Sequence, residues 1–217
     1  RMSQEGTAVK LSPDFFKALQ LVKPFISQDA SRVWSTSVLL TESYMYATNN
    51  IILVRVPIEW CDLEVALPAS TIDRMIEVGQ VPTSCFLSEQ SVSFEYGETW
   101  MRSQLIMERW PNVAAMMDEA EPATEPVPVD LADAIEALKH FCTNEKFPVI
   151  NFGETLKTDA GEQEASFDGF DLPAGAYHAD QLLKVLAVAT HINFSAYPKP
   201  CSFKGPGIEG MLVGVRK

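Results

Sequence analysis

The sequence has no apolar run approaching the ~18 to 20 residues that cross a bilayer, which excludes a helical membrane span. No basic stretch followed by an apolar core opens it either, so a retained secretory leader is not expected. Cysteine is sparse: Cys61, Cys85, Cys142 and Cys201 lie 24, 57 and 59 residues apart, with no CxxC or CxxH pair to hold zinc. Their apolar neighbours suit buried thiols in a reducing cytoplasm, with no disulfide framework. The histidines, His140, His178 and His191, are scattered, and no GxSxG elbow, HExxH helix or glycine-rich phosphate loop is present. These absences point away from an enzyme, and no metal or cofactor is expected. Positive charge is also short: 17 Lys and Arg against 29 Asp and Glu give a formal charge of −12. Taken as a total, that argues against a nucleic-acid partner.

What is present suggests duplication. A chain of 217 residues suits two domains of about 100. The stretch 118–128 holds four acids, three prolines and no base, which reads as an exposed inter-domain connector. The expected division is therefore a first domain at 1–118, a connector at 119–128 and a second domain at 129–217. In the first, Ser12 is expected to cap a helix with Pro13 in its first turn, and Phe15, Leu19, Val22 and Ile26 share one face at 100° per residue. In the second, Asp130 is expected to cap a helix with Leu131, Ile135, Leu138 and Cys142 inward. An offset of 116 matches Ala18-Leu19 to Ala134-Ile135, Lys23 to Lys139 and Phe25 to Phe141. Each half then has a Leu-Pro-Ala step (Leu67 to Ala69, Leu172 to Ala174) ahead of a second helix. The first of these runs from Ser70 to about Val78, with Ile72, Met75 and Ile76 inward. The other runs from about Ala179 to Ala189, with Leu182, Leu186 and Ala189 inward. Alternating runs such as Val92, Phe94 and Tyr96 before Gly97-Glu98 read as hairpin strands. Two helices on antiparallel sheets is an α+β domain, here built twice.

Several segments resemble, in order, the bacterial replicative sliding clamp, the beta subunit of DNA polymerase III. Residues 47–53 (Ala-Thr-Asn-Asn-Ile-Ile-Leu) are similar to the family's Ala-Thr-Asp-Gly-His-Arg-Leu, and Leu67-Pro68-Ala69 to its Ile-Pro-x-Lys helix start. Residues 100–111 resemble the stretch containing Ser-x-Leu-Ile-x-Gly-x-Phe-Pro. Gly161-Glu162 with 172–186 resembles its Gly-Glu and Asn-Ala-x-Tyr-Leu-x-x-Ala-Leu pattern, and 212–216 its Val-Met-Pro-Met-Arg end. The family's usual chain has three such domains, of which this one matches the middle and last. The resemblance thus implies duplicated clamp-like domains in a two-domain clamp, phage or bacterial, or in a fragment. A ring of six domains would then be a homotrimer.

The resemblance implies a processivity factor that encircles duplex DNA without reading its sequence. It would tether a DNA polymerase, and meet its clamp loader, through a short peptide motif. Clamps of this family line the ring with helices. On those faces this sequence offers Lys17, Arg74 and Lys184, with His140 on the remaining helix, Lys23 and Lys139 on flanks, and Arg32 and Lys146 beyond helix ends. Acids share the same faces (Asp73, Glu77, Asp133, Glu136, Asp180). By motif, the partner pocket would comprise Thr48, Asn50, Ile51, Ile52, Leu53, Pro111, Met116, Leu212, Val213 and Val215. Departures from the family include Asn50 for Gly, Ile51-Ile52 for His-Arg and Gly214 for Pro. Two other readings remain: a clamp-fold protein that binds replication factors without encircling DNA, and an unrelated α+β enzyme. The acid surplus is also local. Residues 118–125 and 154–171 carry ten acids and one base, leaving 19 acids to 16 bases elsewhere.

Overall fold

The computed structural model describes residues 6–159 and 165–216. It comprises two compact units that part after Val113. The first begins with strand β1 (Thr7–Val9) and helix α1 (Phe15–Val22), which tightens into a 3-10 turn at Lys23–Phe25. Pro24 enforces that change, because it has no N–H to continue the α-helical ladder. Strands β2 (Ser37–Leu40), β3 (Tyr44–Thr48), β4 (Ile52–Pro57) and β5 (Val65–Pro68) pair antiparallel in the order β4-β3-β2-β5. Helix α2 (Ala69–Val78) follows directly. Strands β6 (Ser84–Leu87), β7 (Ser91–Tyr96) and β8 (Thr99–Gln104) then complete a second antiparallel set, β1-β6-β7-β8. Helix α1 packs on β3 and β4, and α2 on β5 and β2, so the two helices lie side by side on one sheet.

Helix α3 (Val113–Asp118) leads into the second unit. There follow α4 (Leu131–Lys139), β9 (Val149–Phe152), β10 (Leu156–Thr158), β11 (Ser166–Phe167), β12 (Gly175–His178), α5 (Ala179–Leu186), β13 (His191–Ile192), β14 (Cys201–Gly205) and β15 (Ile208–Leu212). Their orders are β11-β10-β9-β12 and β13-β14-β15, again antiparallel. Apart from β1, this repeats the first unit strand for strand.

Burial shows why both sequences adopt one plan. Phe15, Ala18, Leu19 and Val22 are buried on α1, and the residues 116 positions later, Leu131, Ala134, Ile135 and Leu138, are buried on α4. On the second helices Ile72 and Met75 correspond to Leu182 and Val185 at an offset of 110. Each such side chain removes its apolar surface from water, worth about 1.5–3 kcal/mol, so packing against the sheet holds the helices more than propensity does. All four cysteines are buried as free thiols, as their apolar neighbours suggest.

The structure corrects several local expectations. Residues 119–128 are not a free tether. Pro126 bridges His191, the Val127 N–H donates to the Thr190 carbonyl at 2.9 Å, and the Ile192 N–H donates to the Glu125 carbonyl at 2.9 Å. The segment thus stands beside β13 as β1 stands beside β6, forming the second unit's first edge. Prolines are tolerated there because an edge strand need not donate on both sides. Ser12 does not cap α1. It is buried, its hydroxyl bonds the Asp14 carboxylate, and the helix starts only at Phe15, beyond Pro13. Asp130 makes no cap either, because its φ of 64° is left-handed whereas N-capping needs an extended backbone. Ile26 and Ile76 are only half-buried; Phe25 and Thr71 take the inward positions, Thr71 hydrogen-bonding Ser103. Helix α5 stops at Leu186, leaving Leu186 and Ala189 half-buried and Val185 inside.

Candidate nucleic-acid interface and partner surface

Seven of the eight bases singled out above, Lys17, Lys23, Arg32, Arg74, His140, Lys146 and Lys184, are exposed, and Lys139 is half-buried. They do not form one uniform positive surface. Lys23 Nζ lies 2.9 Å from the Asp73 carboxylate, which joins the end of α1 to α2. Lys139 Nζ lies 2.7 Å from Glu136 and 3.7 Å from Asp180, which joins α4 to α5. Arg74 pairs with Glu77 on its own helix at 2.7 Å. Among the described residues, no carboxylate pairs with Lys17, Lys146 or Lys184.

The repeat sharpens this pattern. Lys23 and Lys139 are equivalent at the offset of 116, and Arg74 and Lys184 at the offset of 110. Each unit therefore carries a base at the end of its first helix and another in the second half of its second. Lys17, by contrast, faces a reversal of charge, because Asp133 holds its position in α4. The hydrogen bond from Lys139 to Glu136 raises the lysine pKa above its ordinary value, so it is charged at any physiological pH. His178, the residue before α5, is pushed the other way by burial. Its ring packs edge-on against Phe147 at 4.2 Å, and its Nδ1 is buried without a hydrogen-bond partner.

Arg32 sits apart from the helix faces. Its Nη1 donates to Asn50 Oδ1 at 3.1 Å, tying it to the turn between β3 and β4. That turn is rigidly specified. Thr48 Oγ1 donates to the Ile52 carbonyl at 2.7 Å and accepts from the Asn50 N–H, while Asn50 has a φ of 72°. A residue assigned to DNA and one assigned to a partner are therefore brought together here.

The ten residues assigned to a partner pocket fall into two classes. Thr48, Ile52, Leu53 and Leu212 are buried, so little of these side chains is open to a partner. Asn50, Ile51, Pro111, Met116, Val213 and Val215 retain exposure. In the second unit, Met116 joins Glu119, Ala196, Lys199, Pro200 and Met211 around an open groove of about 260 Å³. Lys199 and Pro200 carried no helix or strand period to mark them, and only the fold brings them to Met116. Beside it, the chain end is fixed: the Val215 N–H donates to the Ala176 carbonyl at 2.7 Å, and Tyr197 Oη donates to the Val215 carbonyl at 2.7 Å. This also explains Gly214, since a Cβ there would lie 2.7 Å from the Tyr197 ring.

Among the described residues there is no cluster of three or more His, Cys, Asp or Glu placed to hold a metal, and no helix long and apolar enough to cross a membrane. Burial holds the Cys85 thiol up to about 12, and raises those of Cys61, Cys142 and Cys201, so these cysteines are not poised as nucleophiles.

Neither a family model nor a curated protein matches the sequence. Solved structures do match the fold. The DnaN sliding clamp (DNA polymerase III subunit beta) of Bartonella birtlesii, bound to griselimycin, aligns with a TM-score of 0.77 at 16% identity, covering 99% of this chain and 67% of that one. The beta sliding clamp of C. crescentus aligns at 0.78 and 16%, covering 98% and 66%. That of Bacillus subtilis aligns at 0.75 and 15%, covering 98% and 65%. The chain spans about two thirds of the length of these clamps, and its duplicated α+β units have the fold of bacterial beta sliding clamps.

Proposed function

We propose that this chain is a DNA sliding clamp, a processivity factor that closes a ring around duplex DNA and tethers a polymerase. The observation that carries this reading is the clamp fold over nearly the whole chain, repeated in two units with the same strand order. Three chains would supply six such units, and a homotrimer is the expected ring. Lys17, Lys146 and Lys184 would meet phosphates without reading bases, and a ring held by topology needs no net basic charge. In the second unit, the groove at Met116 and Met211, with Val213 and Val215, would receive a short peptide from the polymerase or its loader; methionine adapts to several such motifs. The reading requires no cofactor and a site of action in the cytoplasm.

Light scattering and a loading assay test it together. The expected result is a solution mass of three chains, with retention on closed circular DNA that is lost when the circle is cut. A mass near 24 kDa at high micromolar concentration, with no retention, would sink it.

A second reading is supported by the ion pairs of Lys23, Arg74 and Lys139, which neutralise three bases on the helix faces. Here the chain binds a polymerase or loader and does not encircle DNA. Partner binding indifferent to DNA topology is its signature. The clamp fold leaves an unrelated α+β enzyme without support.

A further inference from the structure

We infer that Asp73 and the pair Glu136 and Asp180 act as built-in competitors for DNA phosphate, holding the repeat-equivalent lysines Lys23 and Lys139 and so limiting how tightly the helix faces grip a duplex. The inference rests on the DNA-encircling reading above and concerns what its binding surface is tuned to do. Its basis is the recurrence of one device in both units. A lysine at the end of the first helix reaches across to an aspartate on the second, at 2.9 Å in the first unit and 3.7 Å in the second. The acids do not occupy equivalent positions: Asp73 lies in the middle of α2 and Asp180 in the first turn of α5. The same pairing is therefore reached from different places, which a simple copy of one sequence would not produce.

The energetics fit a competitor better than a structural clamp. The Lys23 and Asp73 side chains are 44% and 52% exposed, and exposed ion pairs of this kind are weak, commonly below about 1 kcal/mol. A phosphate passing the surface can replace the carboxylate and be replaced in turn, with little net change at each exchange. A free lysine would instead hold the phosphate and add to the salt-dependent affinity. Among the described residues Lys17 in the first unit and Lys146 and Lys184 in the second have no carboxylate partner, so each unit carries unopposed bases beside opposed ones. A ring that stays on DNA by topology gains nothing from tight contact and moves more freely without it.

The test measures binding of the full chain to a short linear duplex by fluorescence anisotropy over a salt series, with retention on closed circles measured in parallel. Asp73→Asn frees Lys23, and Glu136→Gln with Asp180→Asn frees Lys139. Each is expected to tighten binding up to about fivefold, since a pair is worth at most roughly 1 kcal/mol. Each also steepens the dependence of log affinity on log salt by about 0.9, one further phosphate contact. Asp133→Asn removes one negative charge, as Asp73→Asn does, from a helix face where no paired base is released. It is expected to tighten binding less and leave the slope unchanged. Asp180 also favours the N-terminus of α5, so folding of that variant is checked by circular dichroism. Lysine variants give an independent arm: Lys17→Ala and Lys184→Ala weaken binding more than Lys23→Ala and Lys139→Ala. The inference is overturned if the acid variants match Asp133→Asn in affinity and slope, or if Lys23→Ala costs as much as Lys17→Ala. With retention on circles intact, that result removes the competitor role alone. Absence of both duplex binding and retention removes the clamp reading with it.

Discussion

Helix α1 carries Lys17 where α4 carries Asp133, while the four residues each helix buries correspond one for one. The two units thus agree where side chains pack and differ where they meet water. The first unit has nine bases to 13 acids and the second eight to 16, so two thirds of the −12 surplus lies in the second. Segments 118–125 and 154–171 alone carry a net excess of nine acids, and the rest of the second unit is slightly basic. Packing constrains a residue to within a methylene, whereas an exposed charge costs little to exchange. A repeated fold therefore does not guarantee a repeated surface. The recurrent pairing of Lys23 and Lys139 with acids is informative because nothing in the packing demands it.

The strongest break in the comparison lies at a hairpin end. Tyr96 pairs with Thr99 at the end of β7, and Gly205 pairs with Ile208 at the equivalent end of β14. A Cβ on Gly205 would come 1.8 Å from the Val188 carbonyl oxygen, which is backbone and cannot rotate away. Gly205→Ala is expected to destabilise the second unit by about 3 kcal/mol or more, at the upper end of single substitutions. The units can be followed separately, because all four tryptophans (Trp34, Trp60, Trp100, Trp110) lie in the first. In denaturant the variant should lose ellipticity well before its tryptophan fluorescence changes. Coincident transitions, at the wild-type midpoint, would show that the loop after α5 yields instead.

This asymmetry also explains what the sequence alone could convey. Periodicity marked all four main helices, because Phe15, Leu19 and Val22, or Leu182 with its neighbours, must share a face to be buried. The duplication itself was legible from matched residues, whereas the strand order came only from the structure. Residues 119–128 escaped because prolines and acids suit a tether and an edge strand equally, and only the partner strand decides. The caps escaped because Ser12 and Asp130 have the right chemistry on the wrong backbone. At the candidate sites, residue type located the bases but not their counter-charges. Whether Lys23 is free or held depends on Asp73, fifty residues away, and motif matching could not tell that Ile52 and Leu212 are fully buried.

A second, smaller difference is a response to acid. All three histidines lie in the second unit, and His178 is the one whose pKa burial lowers below the ordinary 6.5. Nearby Asp180 favours its protonation and Lys184 opposes it. As pH falls through 6.5, the unfolded chain takes up a proton that the folded site refuses. Stability is thus full above 6.5, falls as pH drops toward the folded pKa, and then levels. Denaturant unfolding between neutral pH and about pH 5 should show this slope in ellipticity, over and above carboxylate titration. His178→Gln should flatten it. An unchanged slope would place the acid response elsewhere.

The smallest effect is expected where each unit holds a non-glycine residue in the left-handed region, Asn50 with a φ of 72° and Asp130 with a φ of 64°. Glycine relieves that backbone cost, of order 1 kcal/mol, but adds a similar entropy to the unfolded chain. For Asp130, whose side chain makes no capping bond, the two nearly cancel, and Asp130→Gly should change stability by less than about 0.5 kcal/mol. Asn50→Gly also removes the acceptor for Arg32 Nη1, an exposed hydrogen bond, and should lie about 0.5 kcal/mol further toward destabilisation. Tryptophan fluorescence reads Asn50→Gly in the first unit and ellipticity reads Asp130→Gly in the second. A loss above about 1.5 kcal/mol at Asn50 would mean that Arg32 orders the turn and is not merely resting on it, leaving it less free to meet a phosphate.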